Sequence, residues 1–129
     1  KDHYERAQVI AHEQEVRQVE GRALRGLGDV AHAHHQFVQA EDYYRQAIAI
    51  ATELDTPSEH CAVLHRQGEL RLSQEHYLEA LDIWVQALAL DRRIGHPERL
   101  SLEKKVRELV AEHHLEEALT ELSKRYGLD

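Results

Sequence analysis

The chain has 129 residues, of which 42% are hydrophobic and 31% charged, and its 24 acidic against 16 basic side chains give a formal charge of −8. This charge opposes nonspecific attraction to nucleic acid and to anionic lipid, so we expect neither nucleic acid nor a membrane as a partner. The single cysteine, Cys61, cannot form an internal disulfide, and the chain has no signal-like start, which together favour a reducing cytoplasm.

The first residues of the chain match residues that lie 40 positions further on. The same shift superimposes like residues along most of the sequence: Tyr4 and Tyr44, Ala7 and Ala47, Ile10 and Ile50, Leu24 and Leu64, Gly28 and Gly68, Ala40 and Ala80, Tyr44 and Trp84, Pro57 and Pro97. A fixed period of this size is typical of repeat proteins, in which each unit has an apolar face that its neighbours cover. Because the sequence has no methionine, we expect a segment of a longer polypeptide, cut at its N-terminal end and natural at its C-terminal end.

The spacing of apolar residues predicts helices throughout. Residues 1–18 are predicted to be the second helix of a partial unit, and Gly21–His34 the first helix of the next. Between Gln14 and Glu20 there is no proline, so a short turn and a continuous bend both remain open. From Gln39 to Leu54 apolar residues recur at intervals of three and four, which predicts an amphipathic helix.

The second complete unit repeats this arrangement. Its predicted helices are Glu59–Ser73 and Leu78–Ile94, and the flanking segments Asp55–Glu59 and Gly95–Glu98 each combine a helix stop, a proline and an acidic residue. A third unit follows with a shift of 38 rather than 40, and it ends in the predicted helix Leu115–Tyr126. The single apolar stripe of this last helix suits a capping repeat.

These repeats resemble the tetratricopeptide repeat family. The signature positions of that family correspond to Leu24, Leu27, Gly28, Ala31, Ala40, Tyr44 and Ala47 in one unit, and to Leu64, Gln67, Gly68, Arg71, Ala80, Trp84 and Ala87 in the next. Glycine and alanine at these positions let neighbouring helices approach closely, and the aromatic residue fills the space between them. Two features depart from the family: Gln67 and Arg71 stand where apolar residues are usual, and the period exceeds the usual length of about 34 residues.

The resemblance implies an all-α, right-handed α-solenoid of stacked antiparallel helix pairs, with about seven helices in this chain. The expected organisation is one domain, 1–129. It comprises the partial unit 1–18, the repeats 19–56 and 57–96, and a divergent C-terminal capping repeat, 97–129.

The resemblance also implies a concave groove, lined by the first helix of each unit, that holds a peptide or a partner helix. By position, the groove residues are Arg22, Arg25, Asp29 and His32 in the first repeat, His65, Arg66, Glu69 and Leu72 in the second, and Arg107 and Val110 in the third. The family clamps a peptide's C-terminal carboxylate with lysine and asparagine, but the two complete units contain neither residue. We therefore predict a mixed-charge peptide as the ligand. The alternative is that these side chains form only a solvated helix face.

Eleven histidines raise the question of a metal site. Several of them lie at predicted turns between helices: His32, His34, His35, His76, His113 and His114. A zinc ligand lies about 2.0 to 2.1 Å from the ion, whereas equivalent residues of adjacent repeats are expected about 10 Å apart. We therefore predict polar turn residues and no metal or other cofactor. Adventitious metal binding and a partner interaction that depends on pH at about 6 to 7 remain open.

No motif predicts catalysis. The pair His12 and Glu13 lacks the second histidine of the metalloprotease spacing, no glycine-rich phosphate loop is present, and Cys61 has no nucleophile motif. We therefore predict a non-enzymatic scaffold that binds a protein or peptide and is a module of a larger regulatory protein. The alternative is a structural self-assembly module, a homodimer through the N-terminal helix, where Tyr4, Val9 and Ile10 present an apolar patch at an exposed repeat end.

Overall fold

A computed structural model of the chain describes residues 2–95 and 99–128, with the side chains of Asp2 and Tyr4 outside the described set. Within these ranges there are six helices and no strand: α1 (Asp2–Ala33), α2 (Phe37–Glu53), α3 (Pro57–Ser73), α4 (Tyr77–Asp91), α5 (Arg99–His113) and α6 (Glu116–Arg125). The all-α prediction is therefore confirmed. Of the predicted boundary Gly95–Glu98, His96, Pro97 and Glu98 lie outside the described residues. None of the described helices combines the length and the apolar character needed to cross a bilayer.

The first helix is continuous for 32 residues. It passes through the segment between Gln14 and Glu20 without a turn, so the first two predicted helices are one. The prediction of about seven helices is accordingly wrong for the part of the chain that the structure describes. The reason is local, because Arg17 occupies the position that Pro57 holds one repeat later, and arginine is a good helix former.

The two helices of each repeat are joined by the same tight turn. His35 and Glu75, which lie one period apart, adopt left-handed φ angles of 58° and 62°. The next residues, Gln36 and His76, donate their backbone N–H groups across the turn to Ala31 O at 2.8 Å and Arg71 O at 2.9 Å. His114 adopts φ 55° between α5 and α6 in the same way. These bonds satisfy carbonyls at the end of the preceding helix and reverse the chain.

The helices form two compact units, Lys1–Thr56 and Pro57–Asp129. In the first unit, α1 packs against α2. In the second unit, α4 is central, since α3, α5 and α6 all pack against it. The last helix is tied to α4 by the Tyr126 hydroxyl, which donates to Asp82 Oδ1 at 2.6 Å. Arg92 also donates to the backbone carbonyl of Gly127 at 2.7 Å.

Each unit has an aromatic ring placed directly on a glycine of the neighbouring helix. Tyr44 is 0% exposed and Trp84 is 1% exposed. A Cβ atom at Gly28 would overlap the ring of Tyr44, and one at Gly68 would overlap the indole of Trp84. Because the two pairs are related by the shift of 40 residues, this close packing explains why the sequence repeats both residue types together.

The third repeat replaces this glycine–aromatic pair. At its shift of 38 residues, Gly68 becomes Val106 and Trp84 becomes Leu122, and both replacements are buried. A larger residue on the first helix therefore goes with a smaller one on the second, as a close-packed core requires. Gln67, which departs from the family pattern, is buried as well.

Candidate protein-binding surface

The first unit holds four of the predicted groove residues on the C-terminal half of α1. Arg22 is exposed, whereas Arg25 and His32 are half-buried. Asp29 is held by the core, because its Oδ1 accepts a hydrogen bond of 2.6 Å from the hydroxyl of Tyr44. Arg22 is therefore the exposed charge among these four.

The second unit holds the remaining predicted groove residues. Arg66 donates to the carbonyl of Ala62 at 3.1 Å, and Leu72 is half-buried on α3. Arg107 is exposed on α5. Val110 is only 7% exposed, so its prediction as a groove residue is wrong. It belongs to the buried side of α5, the helix that packs against α4.

The structure brings His65 and Glu69 of α3 together with a residue that the sequence analysis missed, Lys105 of α5. The Nζ atom of Lys105 lies 2.9 Å from Nε2 of His65 and donates a second, short hydrogen bond to Oε1 of Glu69. His65 Nε2 is 3.6 Å from the same carboxylate oxygen. We call these three residues the α3–α5 cluster. The repeat pattern does not single out Lys105, because at the shift of 38 residues it corresponds to the buried Gln67.

The electrostatics of the α3–α5 cluster favour an ionised carboxylate. The polar contact with His65 and then the hydrogen bond and charge of Lys105 lower the pKa of Glu69 from 4.5 to about 2, although partial burial acts in the opposite direction. An ammonium has three donors and no acceptor, so Nε2 of His65 accepts from Lys105 when it carries no proton and donates to Glu69 when it does. Glu69 and His65 together take at most two of the three donors of Lys105, which leaves a third for a ligand.

The α3–α5 cluster is anchored to the core of its unit. The indole N–H of Trp84 donates to the backbone carbonyl of His65 at 3.1 Å. The imidazole of His65 also stands edge-to-face against the indole, with ring centroids 6.3 Å apart. The residue that lies on Gly68 therefore also positions His65, which ties the polar surface to the glycine–aromatic packing beneath it.

Arg107 and Lys105 lie on different sides of α5. Successive residues of an α-helix are about 100° apart, so residues two positions apart do not face the same way. On α3, by contrast, His65, Glu69 and Leu72 follow the spacing of one helix face. The surface defined in this unit is therefore His65, Glu69, Leu72 and Lys105.

Three of the histidines, and the cysteine, lie in ring contacts, at turns or in the core. His113 stacks on Tyr77 with ring centroids 3.6 Å apart, while His35 and His114 occupy left-handed turn positions. Over residues 2–95 and 99–128, no group of three or more His, Cys, Asp or Glu residues is arranged to hold a metal ion. Burial, and secondarily Asp91, raises the pKa of the Cys61 thiol to about 12.

The N-terminal half of α1 contains the residues predicted to support self-association. Val9 is 56% exposed and Ile10 is 55% exposed, while the side chain of Tyr4 lies outside the described residues. Arg17 links this part of α1 to α2, because its guanidinium donates to Glu53 at 2.6 Å.

No family model, curated protein sequence or solved structure matches this chain. The resemblance to tetratricopeptide repeats therefore depends on the residues themselves: the period, the glycine–aromatic pairs and the turn that closes each repeat.

Proposed function

We propose that the chain is a tetratricopeptide-like α-solenoid that binds a peptide or a helix of a partner protein, and that it is not an enzyme. The observation that carries this proposal is the contact between His65 and Lys105. It joins side chains of α3 and α5, the first helices of two successive repeats, at His65, a residue that the family resemblance assigns to the groove.

The chemistry of this surface favours a peptide that carries both charged and apolar groups. A carboxylate of the ligand can accept the third donor of Lys105, and Leu72 offers an apolar contact on the same side of α3. Because Glu69 stays ionised well below neutral pH, a basic ligand group adjacent to it also has a partner. The buried Cys61 thiol, whose pKa is raised, is a poor nucleophile, which supports binding rather than covalent catalysis.

A peptide selection tests the proposal. Random peptides displayed on phage are selected on the wild-type chain, and the enriched peptides are synthesised and titrated by fluorescence anisotropy. We expect Lys105→Met to weaken binding by about tenfold or more, because it removes a charge-assisted hydrogen bond while keeping the aliphatic stem.

Arg107→Ala is the matched control, since it removes an exposed cation from another side of the same helix. We expect it to change the affinity by less than about twofold. Failure to enrich any peptide, or equal losses in the two variants, would contradict the proposal. Circular dichroism of both variants checks that the helices are retained.

A further inference from the structure

The α3–α5 cluster contains a histidine whose protonation changes its hydrogen-bond partner. Nε2 of His65 lies 2.9 Å from Nζ of Lys105 and 3.6 Å from Oε1 of Glu69. A neutral imidazole accepts a hydrogen bond from Lys105 through this atom, whereas an imidazolium has only donors, and the carboxylate of Glu69 is within its reach. Histidine is the side-chain type that changes charge between about pH 5 and pH 8. The contacts within the cluster therefore depend on pH.

Each helix packed around His65 contributes identified neighbours. On α3, besides the carboxylate of the cluster, Cys61 lies one turn earlier, and burial raises the pKa of its thiol to about 12, so it stays uncharged. From α4 the indole of Trp84 stands edge-on to the imidazole. From α5 the ammonium of the cluster contacts it, and the exposed Glu108 follows one turn later on the same side of that helix. The charged side chains of α4 have partners of their own: Glu79 with Arg71, Asp82 with Tyr126, and Asp91 with Arg99.

Protonation of His65 changes both the charge of the cluster and the donors that it offers. With a neutral imidazole, the charges of Lys105 and Glu69 cancel. With an imidazolium, the cluster carries one positive charge, and the donor that Lys105 gave to His65 is released. The two cations then repel one another, and a carboxylate of a ligand beside them offsets that repulsion. The side chains of His65 and Lys105 are 14% and 37% exposed, so solvent screens these charges only in part.

We propose that protonation of His65 is coupled to ligand binding, so that the α3–α5 cluster binds a carboxylate side chain of a peptide more tightly at acid than at alkaline pH. This coupling rests on the proposed peptide-binding function, and it specifies the ligand group that the cluster recognises. A basic ligand group beside Glu69 would show the opposite dependence, since the imidazolium competes for the same carboxylate. The direction of the pH dependence thus identifies which ligand charge the cluster holds.

Binding and protonation are linked in both directions. A ligand that binds the protonated chain more tightly also increases the number of protons that the chain holds. We therefore expect peptide binding near pH 7 to take up protons from solution. Aspartate and glutamate side chains have ordinary pKa values of about 4, so the ligand stays ionised above about pH 6 and does not supply this uptake.

Isothermal titration calorimetry at about pH 8, 7 and 6 tests the coupling. The probes are synthetic peptides that are enriched by phage display on the wild-type chain at the lowest of these pH values and contain Asp or Glu but no His. We expect their affinity to rise by about fivefold between the highest and the lowest pH. Titrations near pH 7 in two buffers of different ionisation enthalpy should show proton uptake on binding.

His65→Gln separates the coupling from the general effect of pH on the chain. Glutamine keeps a neutral acceptor for Lys105 and does not titrate, so we expect this variant to lose most of the pH dependence and the proton uptake. The matched control is His60→Gln, which removes a half-buried histidine of the same helix from outside the cluster and should leave both properties unchanged. It corrects for the charge that the eleven histidines gain together. Circular dichroism checks that both variants keep their helices.

The response of Lys105 to His65 is also measurable without a ligand. The chain has four lysines, so the Cε and Hε NMR signals of Lys105 can be assigned by their loss in Lys105→Met. We expect these signals to shift between about pH 8 and pH 6 in the wild type and not in His65→Gln. The exposed Lys104 is the internal control.

Four results would overturn the coupling: a peptide affinity that is equal at the highest and lowest pH or greater at the highest, a pH dependence that His65→Gln retains, an equal loss of pH dependence in His65→Gln and His60→Gln, or Lys105 signals that do not follow the pH. A selection that enriches no peptide at any of these pH values would instead reject the peptide-binding function, and the coupling with it. The two failures are therefore distinguishable.

Discussion

The segments that precede the first and second repeats differ in whether the helix stops. Before the second repeat, Asp55 adopts a left-handed φ of 51°, Thr56 donates its backbone N–H to Ala51 O at 2.9 Å, and Pro57 begins α3. At the equivalent residues 15–17, glutamate, valine and arginine continue α1. In a repeat chain, a few residues at the junction thus decide whether one helix becomes two.

The two junctions differ, but the two helix pairs are alike, because α1–α2 and α3–α4 use the same packing. In both pairs an aromatic ring lies on a glycine and a left-handed residue closes the turn. The two units therefore serve as internal controls for one another. Substitutions at equivalent residues should have equivalent effects, whereas substitutions at the junctions should not.

The largest effect is expected from removing the buried aromatic residues. Trp84→Ala and Tyr44→Ala should each lower the free energy of unfolding by about 3 to 5 kcal/mol, because each leaves a cavity between two helices. Urea unfolding measures both. Tyr43→Ala, at the half-buried neighbouring position, is the control and should cost clearly less. A small loss for either buried residue would break the equivalence of the two units.

A proline at the first junction should interrupt α1. Arg17→Pro puts the residue of the second junction into the first, and it should destabilise the helix there by about 3 kcal/mol, since proline lacks the N–H and clashes with the preceding turn. Backbone chemical shifts of residues 10–20 measure the helix. Arg17→Ala removes the contacts with Glu20 and Glu53 but keeps a helix former, so it should leave the helix intact. Unchanged helical shifts in Arg17→Pro would contradict the account.

Smaller gains are expected at the turns. Glu75→Gly and His35→Gly should each raise the free energy of unfolding by about 0.5 to 1 kcal/mol, because glycine adopts positive φ without the steric cost of a side chain. Thermal unfolding detects the change. Gln74→Gly, one residue earlier and outside the left-handed region, should lower stability instead. A loss in both turn variants would show that these φ angles cost nothing.

The smallest effect concerns the pH dependence of Glu69. Its pKa is about 2 in the folded chain against an ordinary 4.5, so the carboxylate stabilises the fold above about pH 4.5 and this contribution is lost as the pH falls towards 2. The side chain is 37% exposed, so screening limits the contribution to less than about 1 kcal/mol.

Glu69→Gln should therefore unfold with a shallower acid dependence in that range. Glu108→Gln, an exposed substitution on α5, is the control and should retain the wild-type slope. If the free energy of unfolding changes with pH in the same way for Glu69→Gln and the wild type, Glu69 has no stabilising role in the α3–α5 cluster.

The helices were predictable because their signals are local. The periodicity from Gln39 to Leu54 lies within two residues of α2, and Pro57 begins α3 as a proline in the first turn should. The sequence left the continuity of α1 open, since no proline or glycine lies between Gln14 and Glu20 although the repeat alignment places a unit boundary there.

The α3–α5 cluster was predictable only in part. His65 and Glu69 follow from their positions on a first helix, but the shift of 38 residues led to Arg107 and Val110 rather than Lys105. Whether a long side chain contacts a neighbouring helix depends on the direction in which it points from its own helix. A repeat alignment does not record that direction.

The central claim is that both repeats are held by the same glycine–aromatic contact. Two double-mutant cycles test it: Gly28→Ala with Tyr44→Leu, and Gly68→Ala with Trp84→Leu. We predict that each alanine alone costs about 1 to 3 kcal/mol and that the cost falls by at least about 1 kcal/mol when leucine replaces the ring. Additive effects in either cycle would contradict the claim.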